Sequence, residues 1–138
     1  MKSVTRSRRP YPLLGTLAYM LLVVAILVAP TGTPHAHRGY LTEYHLPLGR
    51  RLVADVAVNI AMFVPLGWGL HRTGRSLGVP PKTLLVAAVL AAALFSLLME
   101  TLQFWLPARY SSIVDVLANT AGALLGAWSE ARYTSAGG

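Results

Sequence analysis

Asp55-Val-Ala-Val-Asn59 and Asp115-Val-Leu-Ala-Asn119 each place a carboxylate and an amide one helical turn apart, inside stretches that are otherwise apolar. Ionisable groups are costly in lipid and are seldom kept there without a partner or a task. The two words therefore decide two things together. The stretches around them are membrane helices, and the polar turns inside those helices mark where function is to be sought.

Composition agrees. Of 138 residues, 54% are hydrophobic and 12% charged, and the mean hydropathy is +0.53, so water cannot be the solvent for most of the surface. The length allows one domain of a few helices. The net charge of +7 does not point to nucleic acid, because the basic residues stand in short stretches beside apolar segments and read as topology signals. With no cysteine, disulfides, thiol catalysis and thiolate metal sites are excluded.

Working outward from the two words, four segments approach the about 20 residues that a helix needs to span a bilayer. They are Leu13–Ala29, Leu52–Leu70, Thr83–Leu102 and Ile113–Trp128, separated by Pro30, Gly32 and Pro34, by Gly74, Gly78, Pro80 and Pro81, and by Pro107. Residues 1–12 form a basic N-terminus, 13–130 an all-α bundle of four transmembrane helices, and 131–138 a short tail, in which Thr134–Gly138 is expected to be disordered. The first segment follows Lys2, Arg6, Arg8 and Arg9, as a signal peptide would. No clean A-x-A site follows Ala29, which favours an uncleaved first helix.

With the N-terminus inside, the cytoplasmic parts hold eight basic residues (Lys2, Arg6, Arg8, Arg9, Arg72, Arg75, Lys82, Arg132) and the outer parts four (Arg38, Arg50, Arg51, Arg109). The bias places both termini in the cytoplasm of a multi-pass protein of the cell membrane. Asp55, Asn59, Asp115 and Asn119 then fall in the outer turns of the second and fourth helices, and Glu100 and Gln103 at the outer end of the third. The inverted orientation would move this cluster to the other face without dispersing it.

Spacing says which faces meet. Ala88, Ala92, Ser96 and Glu100 recur every four residues, with Gln103 next, so Glu100 continues a stripe of small residues and points into the bundle. Asp115, Ala118, Asn119, Gly122 and Gly126 make a similar face on the fourth helix. Pro65 removes a backbone donor and predicts a kink in the second. Shifted by sixty, Leu46-Pro47 matches Leu106-Pro107, Asp55-Val56 matches Asp115-Val116, and Asn59, Ala61, Trp68 and Arg72 match Asn119, Ala121, Trp128 and Arg132. This suggests two repeated helix pairs of the same orientation, related by an axis along the membrane normal.

The run Asn59-Ile-Ala-Met-Phe-Val-Pro65-Leu-Gly67, followed by Glu100-x-x-Gln103, Arg109, Ser112, Asp115, Asn119-Thr-x-Gly122 and Gly126, resembles the VanZ-like family of bacterial membrane proteins. The resemblance covers roughly Asp55 to Trp128. It implies a multi-helix protein of the bacterial cell membrane and an association with resistance to the glycopeptide teicoplanin, but no settled mechanism.

The expected binding residues are Glu100, Gln103, Arg109, Ser112, Asp115, Asn119, Asp55 and Asn59. The structural alternative is that the acids pair with Asn59, Asn119, Gln103 or Arg109 and only fix helix order, and for the two amides this tie between helices is the leading reading. In the functional reading, a guanidinium fork at Arg109, with Arg50 and Arg51 near the same boundary, holds the phosphate of a lipid-linked cell-wall intermediate. Interfacial anchoring explains Arg50 and Arg51 equally well. Asp115-x-x-x-Asn119, linked through Arg109 to Glu100-x-x-Gln103, reads as the working half, with Asp55-x-x-x-Asn59 bracing it.

Three carboxylates can also do acid–base chemistry or hold a divalent cation, but H-E-x-x-H, G-x-S-x-G and a Gly-rich phosphate loop are all missing, so catalysis is not indicated. His35, His37 and His45 fall between the first two segments, in a stretch that reads as a loop, and loop histidines usually bind nothing; no metal and no cofactor is expected. Trp68, Trp105, Trp128 and Tyr110 read as interface anchors. Three functions remain: recognition of a lipid-linked cell-wall component or a glycopeptide, an intramembrane hydrolase or transferase acting on a lipid phosphate, and a small proton- or ion-coupled carrier. The expected partners are membrane lipids, one of those ligands, and a second copy of the chain if four spans do not close the polar face. Nucleic acid is not among them.

Overall fold

The computed structural model describes residues 11–29, 50–106 and 111–136, with the side chains of 50–52 and 136 left aside. It is all-α: α1 (Tyr11–Val28), α2 (Arg50–Ser76), α3 (Pro81–Phe104) and α4 (Ile113–Ala136), with no strand among the described residues. The four expected helices are present in order. Three of them, α1, the Val53–Ser76 part of α2, and α3, are long and apolar enough to cross a membrane. α4 has 24 residues and so has the length, but it does not reach the same apolarity. Asp115, Asn119, Ser129, Glu130 and Arg132 account for that.

Large apolar side chains stand outward all along the bundle, among them Leu14, Leu21, Leu90, Leu94, Leu98 and Leu125, as expected where lipid replaces water. Inside, Val23, Leu27, Phe63, Leu66, Ala92, Met99 and Ala123 form the core, and the Phe63 and Phe95 rings lie 6.2 Å apart. The small-residue stripe of α3 is where its spacing placed it, with Ala88, Ala92, Ser96, Glu100 and Gln103 all buried.

α2 and α3 are joined by a tight turn whose chemistry is explicit. Gly78 sits at φ 85°, the amide of Gly78 bonds Arg75 O, and the amide of Val79 reaches back to Gly74 O. This is the double closure of a helix end that glycine permits. Pro80 and Pro81 follow, with Pro81 opening α3, where a missing N–H costs nothing.

The most extensive contact is between the parallel helices α2 and α4. Side chains added at Gly122 and Gly126 would overlap the carbonyls of Ile60 and Val64, and one added at Gly67 would overlap Ala123 O. Backbones therefore touch through glycine. The sequence offsets of these touching pairs fall on both sides of sixty, so the two helices pack in the register of the internal repeat. Trp68 and Arg72 stack as a cation–π pair at 4.9 Å, and their counterparts Trp128 and Arg132 do so at 4.4 Å.

α2 and α4 continue as helices beyond Leu70 and Trp128, where the expected spans end, to Ser76 and Ala136. One expectation is corrected. Thr134–Ala136 is helical and not disordered: the Thr134 hydroxyl bonds Glu130 O and Ala131 O, and that of Ser135 bonds Ala131 O. The last turns of both helices are polar in sequence, and contacts between the helices hold them in place. α2 stays a continuous helix across Pro65.

Candidate polar site where α3 meets α4

The end of the bundle where α3 gives way to α4 collects the polar residues of three helices. On α3, Glu100 is 3% exposed and its Oε2 accepts the backbone N–H of Ser112 at 2.7 Å. That bond satisfies an amide just ahead of α4 and pins the start of α4 to the end of α3. Gln103, one turn later and equally buried, donates from Nε2 to Leu27 O at 3.0 Å, tying α3 to the last turn of α1. Asn119 is 1% exposed and donates from Nδ2 to Ser96 Oγ at 2.9 Å, while its Oδ1 is buried with no hydrogen-bond partner. Ser111 Oγ is likewise buried and without a partner.

The acids of α2 and α4 are arranged differently. Asp115 is half-buried, hydrogen-bonds the side chain of Asn59, which is also half-buried, and lies within Coulombic reach of Asp55. Asp55 itself is exposed. Two carboxylates held this close at the edge of a low-dielectric bundle call for a counter-charge, a shared proton or a cationic ligand group. Ser112, half-buried, gives its amide to Glu100. Arg109 lies outside the described residues, as do His35, His37, His45 and Tyr110, and the side chains of Arg50 and Arg51 are also outside them. Among the described residues no group of three or more His, Cys, Asp or Glu is placed to hold a metal ion.

Seven of the eight predicted residues, Ser112 included, are thus brought to one end, and the other six differ in how they are placed. Glu100, Gln103 and Asn119 are buried and bonded to protein. Asp115 and Asn59 are half-buried and Asp55 is exposed. Of the two copies of the repeated word, Asp55-Val-Ala-Val-Asn59 is the more open one.

The family pattern of VanZ/LLP1 matches residues 14–129. The chain belongs to the VanZ/LLP1 family. The match runs from the first turn of α1 through α2 and α3 into α4, and makes this a VanZ/LLP1 family membrane protein. No curated protein and no solved structure matches the chain.

A second polar cluster, at the opposite end of α2 and α4, was missed in the sequence. Glu130 is completely buried, with Oε1 accepting from Arg75 Nη2 at 2.9 Å and lying 3.9 Å from Arg72 Nη1. Its Oε2 has no hydrogen-bond partner, nor does Nδ1 of the buried His71 close by. Beside them the hydroxyls of Thr16 and Thr73 meet at 2.9 Å, joining α1 to α2. The only signal available was that Glu130 is one of five acids in a basic chain, four residues past Gly126 on the small-residue face.

Proposed function

We propose that this VanZ/LLP1 protein is a noncatalytic envelope protein that recognises, at the α3–α4 end of the bundle, a lipid-linked cell-wall component or a glycopeptide. One observation carries the reading: Glu100, Gln103 and the amide nitrogen of Asn119 are spent on the scaffold, whereas Asp55 is exposed and Asp115, half-buried like Asn59, stands beside it. An accessible acid pair on a rigid base suits the ammonium groups of a peptide-bearing ligand. It also suits a divalent cation that arrives on the ligand's own phosphates, since magnesium commonly combines one or two carboxylates with substrate oxygens. The positive-inside bias would put this end outside the cell, where such ligands are met.

Expression in a teicoplanin-susceptible bacterium tests the proposal. The wild-type chain should raise tolerance; Asp55→Asn, Asp115→Asn, Glu100→Gln and Arg109→Ala should remove it at unchanged membrane levels. Wild-type tolerance in all four variants overturns it. The same acid pair also supports a second reading, hydrolysis or transfer at a lipid phosphate. Purified protein turning over a lipid-linked pyrophosphate in the presence of a divalent cation, and losing that turnover in Asp115→Asn, would put the enzyme first.

A further inference from the structure

Between α1 and α2, at the end of the bundle remote from the acid pair, runs a cleft of about 430 Å³ whose walls are Tyr11, Gly15, Tyr19, Pro65 and Gly69, with Arg72 on Trp68 at its mouth. Helix geometry orders it along the membrane normal. From Pro65 to Arg72 is seven residues, about 10 Å. Because α1 and α2 are antiparallel and Thr16 bonds Thr73, Thr16 stands level with the Arg72 mouth and Tyr11 beyond it, while Tyr19, whose hydroxyl donates to Met62 O at 2.8 Å, marks the deep end. The slot is thus apolar in depth and cationic at its rim.

The charge at the rim is unbalanced. Two guanidiniums, Arg72 and Arg75, surround one carboxylate, Glu130, so one positive charge is left over. Arg75 takes the hydrogen bond. Arg72 sits 3.9 Å from the carboxylate, makes no hydrogen bond among the described residues, and has a side chain 42% exposed. Its guanidinium carbon lies over the Trp68 ring, 4.9 Å from the centroid, and its N–H groups can donate to a phosphate.

We propose that this slot binds one anionic phospholipid of the leaflet at the C-terminal ends of α2 and α4, with an acyl chain along Gly15, Tyr19, Pro65 and Gly69 and the headgroup phosphate on Arg72. The excess charge of the Arg72–Arg75–Glu130 group supplies the preference for an anionic head, and the apolar walls distinguish a lipid from a free phosphate. The repeated stack, Trp128 with Arg132, serves as an internal comparison. Its hollow is lined by Trp128, Ala131, Arg132 and Ser135 of α4 alone and has no second helix for a wall. This site is independent of the acid pair, and its test does not involve teicoplanin or cell-wall precursors.

The experiment is native mass spectrometry of the full chain in detergent, titrated with phosphatidylglycerol, with phosphatidylcholine of the same acyl chains, and with inorganic phosphate. Wild type should retain one phosphatidylglycerol about fivefold better than phosphatidylcholine, the scale expected for one basic residue near an anionic head. Phosphate in excess should not displace it. Arg72→Gln should abolish the headgroup preference, and Arg132→Gln should leave it unchanged. Gly15→Leu should remove retention of both lipids; Gly15 lines the slot and nothing lies within 4 Å of an added β-carbon there, so the larger side chain enters open space, and it decides the matter even if Arg72→Gln lowers yield. Equal retention of the two lipids by wild type, displacement by phosphate, or wild-type retention in Gly15→Leu overturns the proposal.

Discussion

At the residue scale the chain is economical with acids, and most of the described ones face an identifiable group. Glu100 takes an amide, Asp115 takes Asn59, and Glu130 takes Arg75. Glu130 is the most constrained of these because it is wholly buried. Removing one partner of a buried ion pair leaves the other charge uncompensated, which costs about 3–5 kcal/mol. Here the charges left behind by Glu130→Ala, on Arg72 and Arg75, belong to side chains 42% and 44% exposed, so the loss is expected to be only about 1 kcal/mol, with Glu130→Gln affected less, since an amide still accepts from Arg75. Thermal unfolding of the three proteins in one detergent measures this, and equal midpoints for wild type and Glu130→Ala would show that the pair contributes nothing.

At the element scale the decisive contact is glycine against backbone between α2 and α4. Gly126 has Val64 O where a β-carbon would go, so any larger residue must push two helices apart along their closest line. Gly126→Val should cost about 1–3 kcal/mol, the usual range for overpacking. Gly15→Ala, where no atom lies within 4 Å of an added β-carbon, should cost almost nothing and serves as the control. Melting midpoints that fall equally in both variants would contradict the packing described. The element scale also shows what a reader of the sequence can and cannot see. The α3 stripe from Ala88 to Gln103 was legible because small residues recur with helical spacing and the acid continues them. The ends of α2 and α4 were not. His71-Arg-Thr-Gly-Arg75 reads as a loop, and what keeps it helical is Thr16 and Glu130, respectively 57 and 55 residues distant from their partners Thr73 and Arg75. Local pattern carries no record of such partners. The candidate site was half legible for the same reason. Spacing gathered Glu100, Gln103, Asp115, Asn119, Asp55 and Asn59 at one end, but which of them would be spent on the scaffold depended on where Ser96, Leu27 O and the Ser112 amide came to lie.

At the scale of the whole molecule the bundle has two polar ends and an apolar waist. If all four helices cross the membrane, α4 included, the end of α3 and the end of α4 face opposite compartments. The chain has no cysteine, so single cysteines report cleanly. Trp105→Cys and Ser135→Cys are both exposed positions. A membrane-impermeant thiol reagent applied to intact cells should label Trp105→Cys and spare Ser135→Cys until the membrane is opened. The reverse pattern would invert the bundle, and labelling of both from outside would mean that α4 does not cross.

α1 offers little surface to its neighbours, yet it is fastened at three heights: Thr16 to Thr73, Tyr19 to Met62 O, and Leu27 O to Gln103. A strut bolted at a single height can slide or rock. One bolted at three cannot move along its own axis without stranding a hydroxyl or an amide in hydrocarbon, where nothing else would receive it. The gap beside it consequently has a set width, and whatever molecule fills that gap must match its gauge.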